Sequence, residues 1–379
     1  MSDLKRATIS DVAEHAGVSR AAVSKVLRGA YGVSGTMKAR VEASVHALGY
    51  RPSALARGMR GSSFTLGVFV VDLQNTFMSV LIEGIRAEAE AQGYQVFIGQ
   101  AERGLAQQQA TIEAMTDRKM DGLLLIAPFG SLDDLEAIGK TTPTVVLGRQ
   151  GPGQSYDTVA SDDLSGSSLI VDHLVSLGHK RIAHLKHVGR EKNQPDMPQE
   201  VRSRGYLEAM TRNGLEQEID VLETRWSHEG GRRAAEEMLT RKTPPTAVHA
   251  GTDMTAFGMM AALSEAGVKV PDDISVVGYD NIFASSLPQI ALSSVDQSGL
   301  EMGSLAAKLV VERIQGRQEA VTTVVSPKLV VRGSTASPRP GSHRVTPRSR
   351  GCGYWHQVKE PRPRAADQSS VSKSIRPDP

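Results

Sequence analysis

The sequence predicts a small all-α domain followed by a two-lobed α/β domain. Two short helical patterns separated by a glycine occupy residues 8–29, and apolar strand-like runs alternate with helical stripes from residue 64 onward. Such alternation is typical of parallel sheets covered by helices. The alternating part spans about 270 residues, more than a usual single domain, and a turn-rich break near 149–157 divides it. We therefore expect two α/β lobes after the N-terminal helices.

Residues 8–29 predict two helices joined by a tight turn. The first helix is expected over residues 10–16, where Ser10 can cap the free N–H groups at the helix start. Gly17 supplies the turn, and Ser19 caps the second helix. Apolar residues at helical spacing point into a small shared core: Val12, Ala13, Ala16, Val23, Val26 and Leu27. The pattern is typical of a helix-turn-helix motif.

The outward face of the second helix combines cations with small side chains: Arg20, Ala21, Ser24, Lys25 and Arg28. Small side chains let a helix enter a DNA major groove, where the cations can contact base edges and phosphates. An ordinary solvated helix face is the alternative interpretation. The residues that follow favour the first.

A third helix and a short basic segment follow the motif. The helix is expected over residues 35–48, with an inner stripe of Val41, Val45 and Leu48. The segment Tyr50–Met59 comes next. With these motifs in this order, the chain resembles the lactose-repressor-type (LacI/GalR) bacterial transcription regulators from about Thr8 to Thr335. The resemblance implies a sequence-specific repressor whose operator affinity is controlled by a small effector bound between two lobes.

The resemblance assigns DNA contacts residue by residue. Positions that contact operator bases or phosphates match Thr8, Ser19, Arg20, Ala21, Ser24 and Lys25. Residues 52–60 match a hinge helix that forms on DNA, and its candidate contacts are Leu55 and Met59. Met59 matches an apolar wedge that kinks the duplex toward the major groove. Ser53 departs from the family's common Asn, and Gly58 costs about 1 kcal/mol relative to Ala in a helix. Leu55 and Met59 could instead pack on the core domain.

Charge is unevenly distributed along the 379 residues, although the net charge is only +2. Residues 1–60 contain ten Lys and Arg against four Asp and Glu, a net of +6. Residues 338–379 contain nine against three, also +6, and the part between contains 25 against 35, a net of −10. A basic module on an acidic body favours phosphate contact at one end. Its DNA affinity should fall as salt rises, because counterions are released on binding.

The remaining strands follow apolar runs, expected at 64–71, 94–98, 122–126, 144–147, 158–161, 181–185, 247–250 and 274–279. The resemblance implies a periplasmic-binding-protein-like body over residues 61–335, after a headpiece at 1–51 and the hinge. Its lobes are expected near 61–160 plus 291–325 and near 161–290 plus 326–335. A basic, proline-rich tail at 336–379 is expected to be disordered, with no heptad for a tetramer.

The cleft between the lobes is the expected effector site, because ligands of such sheets bind outside the carboxyl ends of strands. Residues that follow expected strands are Asp72, Asn75, Phe77, Arg149, Asp163 and Asp280. By the resemblance, Arg202 is a ligand clamp, Trp226 is an aromatic platform, and Thr252 and Asp253 line the cleft. Core or interdomain packing is the alternative for Trp226, since large aromatics bury well anywhere.

An Arg and several carboxylates around an aromatic face suit a sugar, whose hydroxyls they can satisfy while its apolar face stacks on the ring. A purine or nucleoside would also stack on Trp226 and use Arg202. Thr252-Asp253 departs from the family's common Asn-Asp, which leaves the hydroxyl pattern open. Effector binding is expected to change DNA affinity by linkage. A repressor that no longer responds to ligand is the alternative.

A homodimer on a palindromic operator is expected, because one recognition helix contacts only a half-site. The apolar stripe of Met78, Leu81, Ile82 and Ile85 is a candidate interface, and core burial is an equal alternative. The single cysteine, Cys352, excludes an internal disulfide. No run approaches a membrane span and no signal-peptide pattern follows Met1, so we expect a cytoplasmic protein.

Other chemistry is sparse. His173, His179, His184 and His187 lie near one another in sequence, but surface or core roles are favoured over a metal site. The sequence contains no phosphate-binding glycine loop after a strand and no nucleophile elbow, so neither an enzyme nor a cofactor is expected. The competing function is a solute-binding module without DNA regulation, which the attached headpiece disfavours.

Overall fold

Three helices form the N-terminal domain of the computed structural model, which describes residues 7–27, 30–50, 62–101, 104–189 and 194–339. They are α1 (Ile9–Ala16), α2 (Arg20–Leu27) and α3 (Gly35–Ala47). Their shared core contains Val12, Ala13, Ala16, Val23, Val26 and Val41. Gly17 has a φ of +63°, which glycine adopts at little steric cost, so the chain turns sharply between α1 and α2. The predicted helix-turn-helix is confirmed.

Thr8, and not Ser10, caps α1. Thr8 Oγ1 accepts a hydrogen bond from the Asp11 N–H at 3.4 Å, and Asp11 Oδ2 accepts one from the Thr8 N–H at 2.6 Å. The expected cap at Ser10 was wrong because this reciprocal capping box satisfies two free N–H groups two residues earlier. Ser19 caps α2 as expected, since its Oγ accepts from the Ala22 N–H at 3.1 Å.

Two six-stranded sheets and the helices that cover them form the rest of the described chain. The strands are β1 (Thr65–Val70), β2 (Gln95–Gln100), β3 (Gly122–Ile126), β4 (Thr144–Leu147), β5 (Asp157–Ser161), β6 (Ile182–His187), β7 (Asp220–Thr224), β8 (Ala247–His249), β9 (Ser275–Tyr279), β10 (Ser293–Asp296), β11 (Thr322–Val325) and β12 (Lys328–Val330). The first sheet has the order β11-β5-β4-β3-β1-β2, and the second has β12-β10-β9-β8-β6-β7. All neighbours are parallel except β10 and β12.

Helices cover both sheets, as the strand–helix alternation predicts. They are α4 (Phe77–Ala91), α5 (Leu105–Asp117), α6 (Leu132–Thr141), α7 (Asp163–Ser176), α8 (Pro198–Arg212), α9 (His228–Leu239), α10 (Asp253–Glu265) and α11 (Gly299–Ile314). The chain crosses between the sheets after β5, after β10 and after β11. The second crossing follows Asp296, whereas the expected boundary near 290 had placed β10 in the first lobe. Pairing of β10 with β9 assigns it to the second sheet.

The apolar stripe of α4 packs inside the first lobe. Leu81 and Ile85 are buried in the lobe core, and Met78 and Ile82 are partly buried against the same cluster. A side-chain carbon at Gly84 would overlap the backbone of α11, so the two helices touch at this glycine. Core packing therefore accounts for Leu81 and Ile85, and the subunit interface at Met78 and Ile82, which are only partly buried, stays a prediction.

Asp157 joins the two chain segments that form the first lobe. Its side chain is fully buried, with 0% exposed. Both carboxylate oxygens accept hydrogen bonds from Arg317, at 3.2 and 2.5 Å, and Arg313 Nε lies 3.0 Å from Oδ1. The Val321 N–H donates to Oδ1 at 2.9 Å. This carboxylate ties β5 to α11 and to the segment that enters β11.

The end of the described chain is bonded to the second lobe. Ser334 Oγ donates to the Val276 carbonyl at 2.6 Å, and His179 Nε2 lies 2.9 Å from the Ala336 carbonyl oxygen. Arg339 pairs with Asp272 at 2.8 Å. Residues 336–339, expected to belong to the disordered tail, therefore contact the lobe. The hinge at 52–60 and residues 340–379 lie outside the described part. Within that part, no helix combines the length and apolar character needed to span a membrane.

Candidate functional site

The exposed face of α2 carries most of the residues expected to contact DNA. Arg20, Ala21 and Lys25 are exposed, as predicted. Ser24 is only 8% exposed, so its expected outward position was wrong. Ser24 lies beside the buried face of Val23 and Val26, and a short side chain is covered there. The face that remains is two cations flanking a methyl group, a shape that fits a major groove.

Thr8 and Ser19 lie at the N-terminal ends of α1 and α2, where their oxygens accept the capping hydrogen bonds. Helix N-termini carry partial positive charge and free N–H groups, which favour phosphate contact. Leu55 and Met59, the expected minor-groove contacts, and Arg28, expected on the outward face of the second helix, lie outside the described residues.

The first-lobe candidates follow β1 and β4 at the carboxyl edge of the first sheet. Asp72 Oδ1 accepts from the Gln74 N–H at 2.7 Å, and Asn75 Oδ1 accepts from the Phe77 N–H at 3.0 Å. These bonds shape the loop between β1 and α4. Phe77 is 5% exposed and belongs to the core cluster of the lobe. The loop therefore presents Asp72 and Asn75, while the Phe77 ring is buried beneath them.

Arg149 spans the two lobes. Its guanidinium is nearly buried, with 3% of the side chain exposed, and its Nε lies 2.6 Å from Oδ2 of Asp196 in the second lobe. Nη1 donates to the carbonyls of Pro128 at 3.1 Å and Gly130 at 2.9 Å in its own lobe. The Asp196 carbonyl accepts from the Gln150 N–H at 2.9 Å. Nη2 has no hydrogen-bond partner in the described part of the chain.

Arg202, at the start of α8, is the centre of a buried polar cluster in the second lobe. Its Nε donates to Asp163 at 2.8 Å, its Nη1 to the Gly251 carbonyl at 2.9 Å, and its Nη2 to Gln297 at 3.2 Å. Asp280 lies 3.8 Å from Nη1. Burial raises the pKa of Asp163, and Arg202 opposes that rise. The two expected residues Arg202 and Asp163 are thus an ion pair.

Asp280 follows β9 and has a φ of +116°, an uncommon conformation for a residue other than glycine. Its Oδ1 accepts from Gln297 at 2.7 Å. Its Oδ2 has no hydrogen-bond partner among the described residues, although the Asn75 side chain of the first lobe is close enough to favour the charged form. Burial nevertheless raises the pKa of Asp280 well above its usual value.

Two aromatic rings flank the Arg202 guanidinium. Its Cζ lies 3.7 Å from the centre of the Tyr279 ring and 4.9 Å from the centre of the Trp226 ring. Trp226 is partly buried, and its Nε1 donates to the Leu185 carbonyl at 3.1 Å. His187 holds the Trp226 backbone, since its Nδ1 accepts from the Trp226 N–H at 2.9 Å. The indole is fixed beside the cluster and is not part of the lobe core.

Thr252 and Asp253 are engaged within the second lobe. Thr252 Oγ1 caps α10 by accepting from the Thr255 N–H at 3.2 Å. Asp253 is fully buried and accepts from the Ile282 N–H, from Ser285 and from Ser294. Burial raises the pKa of Asp253 to about 6, against the effect of these donors. Asp253, expected to line the cleft, therefore holds the loop after β9 in place.

Comparison with known proteins follows this division into two domains. Residues 8–53 match the bacterial regulatory proteins of the lacI family, and residues 171–335 match a periplasmic binding protein-like domain. The HTH-type transcriptional repressor PurR of Erwinia tasmaniensis is 33% identical to this chain, over 87% of it and 97% of PurR. The chain belongs to the LacI family.

Solved structures of LacI-family proteins share the fold. A Lac repressor dimer bound to operator and the anti-inducer ONPF has a TM-score of 0.75 and 28% identity, covering 88% of this chain and all of that one. The complex of the regulator CelR with cellobiose has a TM-score of 0.63 and 27% identity, covering 87% and 100%. This LacI-family protein is a DNA-binding transcriptional repressor with an effector-binding domain. A solute-binding module alone would not account for residues 8–53.

Several residues of this LacI-family site were not expected from the sequence. Tyr279 was assigned to a strand, Gln297 follows a strand that was not predicted, and Asp196 lies in a loop without periodicity. Of the three, only Tyr279 carried a signal in the sequence, because it is an aromatic residue at the carboxyl end of a predicted strand. The histidines of the second lobe belong to no cluster that could hold a metal within the described ranges.

Proposed function

We propose that operator binding by this repressor is controlled by a carbohydrate bound between the lobes. The observation that carries the proposal is a pair of buried polar atoms without hydrogen-bond partners among the described residues, Arg149 Nη2 in the first lobe and Asp280 Oδ2 in the second. Buried polar groups are nearly always hydrogen-bonded, so unpartnered ones call for a ligand or water. Arg149 Nη2 can donate a hydrogen bond. Asp280 Oδ2 can accept one or, when protonated, donate one. A ligand hydroxyl group can bond to either, because it both donates and accepts.

Carbohydrate is preferred because polar groups and an aromatic face occur together here. Asp72, Asn75 and Arg149 supply hydrogen-bonding groups on one side, and Trp226 supplies a ring on the other. The cellobiose complex of CelR supports this choice. A purine or nucleoside is the second candidate, because Trp226 and Arg202 could stack on a flat base, and it is an outcome of the test below.

Control of DNA binding follows from the contacts between lobes. The Arg149–Asp196 pair joins the lobes, so a ligand that bonds to Arg149 and to Asp280 changes how the lobes meet. A ligand with different affinity for the DNA-bound and free arrangements then shifts operator affinity, and the coupling is reciprocal. This mechanism operates where the bacterial chromosome lies, in the cytoplasm.

The test begins with selection of genomic fragments by the purified protein at moderate salt. Affinity for the enriched operator is then measured with D-ribose, cellobiose or adenosine present. We expect a carbohydrate to change operator affinity by roughly 5- to 150-fold, the usual range of allosteric coupling. If adenosine alone changed operator affinity, the effector would be a nucleoside and not a carbohydrate. Equal affinity of each compound for DNA-bound and free protein would contradict the mechanism.

Replacing Arg20 with alanine tests the DNA-binding face. Arg20 is exposed at the start of α2, and we expect its loss to cost about 1–3 kcal/mol of operator binding and to relax specificity at one base pair. The control is Lys38→Ala in α3, which removes the same charge from an exposed residue paired with Glu42 at 3.9 Å. Gel-shift titrations against operator variants measure both effects. Equal losses for both variants, at every sequence, would assign Arg20 to nonspecific attraction only.

We also propose that the repressor is a homodimer. The edge strand β2 exposes Phe97 and Ile98, at 49% and 50%. In the second lobe, Phe257, Met260 and Ile290 line an open groove beside α10. An exposed apolar edge strand favours association unless it is covered. Both surfaces would be covered in a two-fold dimer that presents two recognition helices to a palindrome.

Replacing Phe97 with aspartate should convert the dimer to monomers, because a charge would be buried at the interface. Sedimentation equilibrium measures the mass, and operator affinity should fall with it. Leu132→Asp is the matched control, since Leu132 is similarly exposed, at 46%, on α6. A Phe97→Asp variant that sediments like the original protein would show that β2 is not the interface.

A further inference from the structure

A row of four rings crosses the second sheet beneath the Arg202 cluster. His184 of β6 and His249 of β8 are register partners on neighbouring strands, and their ring centres are 4.5 Å apart. Tyr206 of α8 stacks on His184 at 5.1 Å, and Tyr279 of β9 lies parallel to His249 at 6.3 Å. All four side chains are fully buried. Because Tyr279 also faces Arg202, the row ends at the candidate effector site.

His249 differs from the other rings because it bonds to the backbone of the site. Its Nδ1 accepts a hydrogen bond from the Gly251 N–H at 3.2 Å, and its Nε2 lies 2.9 Å from Ser167 Oγ. A nitrogen that accepts from an N–H carries no proton, so Nε2 is the protonated atom and donates to Ser167. One ring thus connects α7 to the turn between β8 and α10.

Gly251 contacts both Arg202 and Trp226. Its carbonyl accepts from Arg202 Nη1 at 2.9 Å. Its φ is +76°, and a side-chain carbon there would lie 2.5 Å from Trp226 Nε1 and 2.7 Å from the Leu185 carbonyl oxygen. The Gly251 N–H and carbonyl belong to successive peptide units joined at its Cα, so a backbone shift that breaks the N–H bond would also move the carbonyl away from Arg202 and change how Trp226 packs on Gly251.

The neutral state of the His249 ring keeps its Nδ1 available as the acceptor for the Gly251 N–H. Burial, the neighbouring His184 and the cation Arg202 lower the pKa of His249 well below its usual value. Titratable groups on the elements packed against it are His184 of β6, Asp163 of α7, Arg202 of α8 and Tyr279 of β9. The ring stays neutral near pH 7, so its Nδ1 accepts throughout the physiological range.

We infer that His249 is a positioning residue of the effector site, which holds the Gly251 backbone where its carbonyl accepts from Arg202 and its Cα packs on Trp226. The inference rests on the proposed site between the lobes. His249 lies inside the second sheet and contacts no ligand itself. It sets the geometry of Arg202 and Trp226, which are the proposed ligand contacts.

The test needs no effector, so its outcome does not depend on the proposed function. In a Trp355→Phe background, Trp226 is the only one of the chain's two tryptophans that remains. We compare His249→Asn, whose amide oxygen can replace Nδ1 as acceptor, with His249→Leu, which cannot accept. His184→Leu is the matched control, because His184 lies in the same row without a bond to Gly251. The measurements are acrylamide quenching of Trp226 and deuterium exchange of a peptide spanning residues 250–253.

With His249→Leu we expect the Gly251 amide to exchange roughly five- to tenfold faster, as for loss of a hydrogen bond of ordinary net strength. Quenching of Trp226 should rise with it. His249→Asn and His184→Leu should retain both values of the original protein. If His249→Leu does not fold, His249→Gln, whose amide reaches the Nε2 position and leaves the Nδ1 position vacant, takes its place. Equal effects of His249→Leu and His184→Leu, or no effect of a folded His249→Leu, would overturn the inference.

Discussion

Replacing Arg202 with methionine should lower the free energy of unfolding by about 3–5 kcal/mol, the usual cost of removing one partner of a buried ion pair. The side chains of Arg202 and Asp163 are 5% and 2% exposed. Methionine fills much of the space but leaves Asp163 and Asp280 without their cation. Urea unfolding followed by circular dichroism measures the loss. Binding of any effector that contacts Arg202 should be lost as well.

The Arg202→Met loss should grow as pH rises. Burial raises the pKa of Asp163 and Arg202 opposes that rise, so in the variant the folded state holds a proton on Asp163 that the unfolded chain releases. The folded state then binds more protons above the unfolded pKa of about 4, and stability falls with increasing pH. The double variant Asp163→Asn/Arg202→Met should recover part of the loss. A pH-independent loss that the second substitution does not reduce would contradict the buried ion pair.

Replacing Asp157 with asparagine should destabilise the first lobe by about 3–5 kcal/mol for the same reason. The carboxylate is fully buried and faces Arg317 and Arg313, whose side chains are 18% and 8% exposed. Without its charge, two largely buried cations face an amide. The midpoint of urea unfolding, compared with that of the original protein, gives the magnitude.

Glu312→Gln is the control for Asp157, because Glu312 pairs with the same Arg317 but is 37% exposed. A solvent-exposed pair contributes about 0–1 kcal/mol, so this variant should unfold close to the original protein. If both substitutions lower the midpoint equally, burial of Asp157 is not what makes its contacts strong.

The headpiece and the apolar strands could be predicted because their signals are local. Apolar spacing in α1 and α2 determines the small core, and Gly17 marks the turn. The cap of α1 was misplaced because Ser10 and Thr8 both suit an N-cap position, and only Asp11 three residues after Thr8 decides between them. Ser24 was misplaced because helical spacing locates it at the margin of the buried face, where packing of neighbouring helices decides exposure.

The strand β10 was missed because Ser293, Ser294 and Asp296 make it polar. Its serines are nevertheless fully buried, since Ser294 donates to Asp253 and Ser293 accepts from the Arg332 N–H. These partners are distant in sequence, so no local pattern shows that the strand is satisfied. The same holds for Asp196, whose partner Arg149 is 47 residues away. Sequence spacing located the carboxyl ends of strands, but not which side chains meet there.

The crossing of the chain from β5 to the second lobe and back dictates an order of folding during synthesis. Helix α11 covers α4 and the face of the first sheet, and Ser304 donates to Glu88 across 216 residues of sequence. β11, which completes that sheet beside β5, comes later still. The ribosome must therefore release nearly the whole second lobe before the first can close over its core. Until then the apolar face of α4 is uncovered, and it is open to aggregation or chaperone binding.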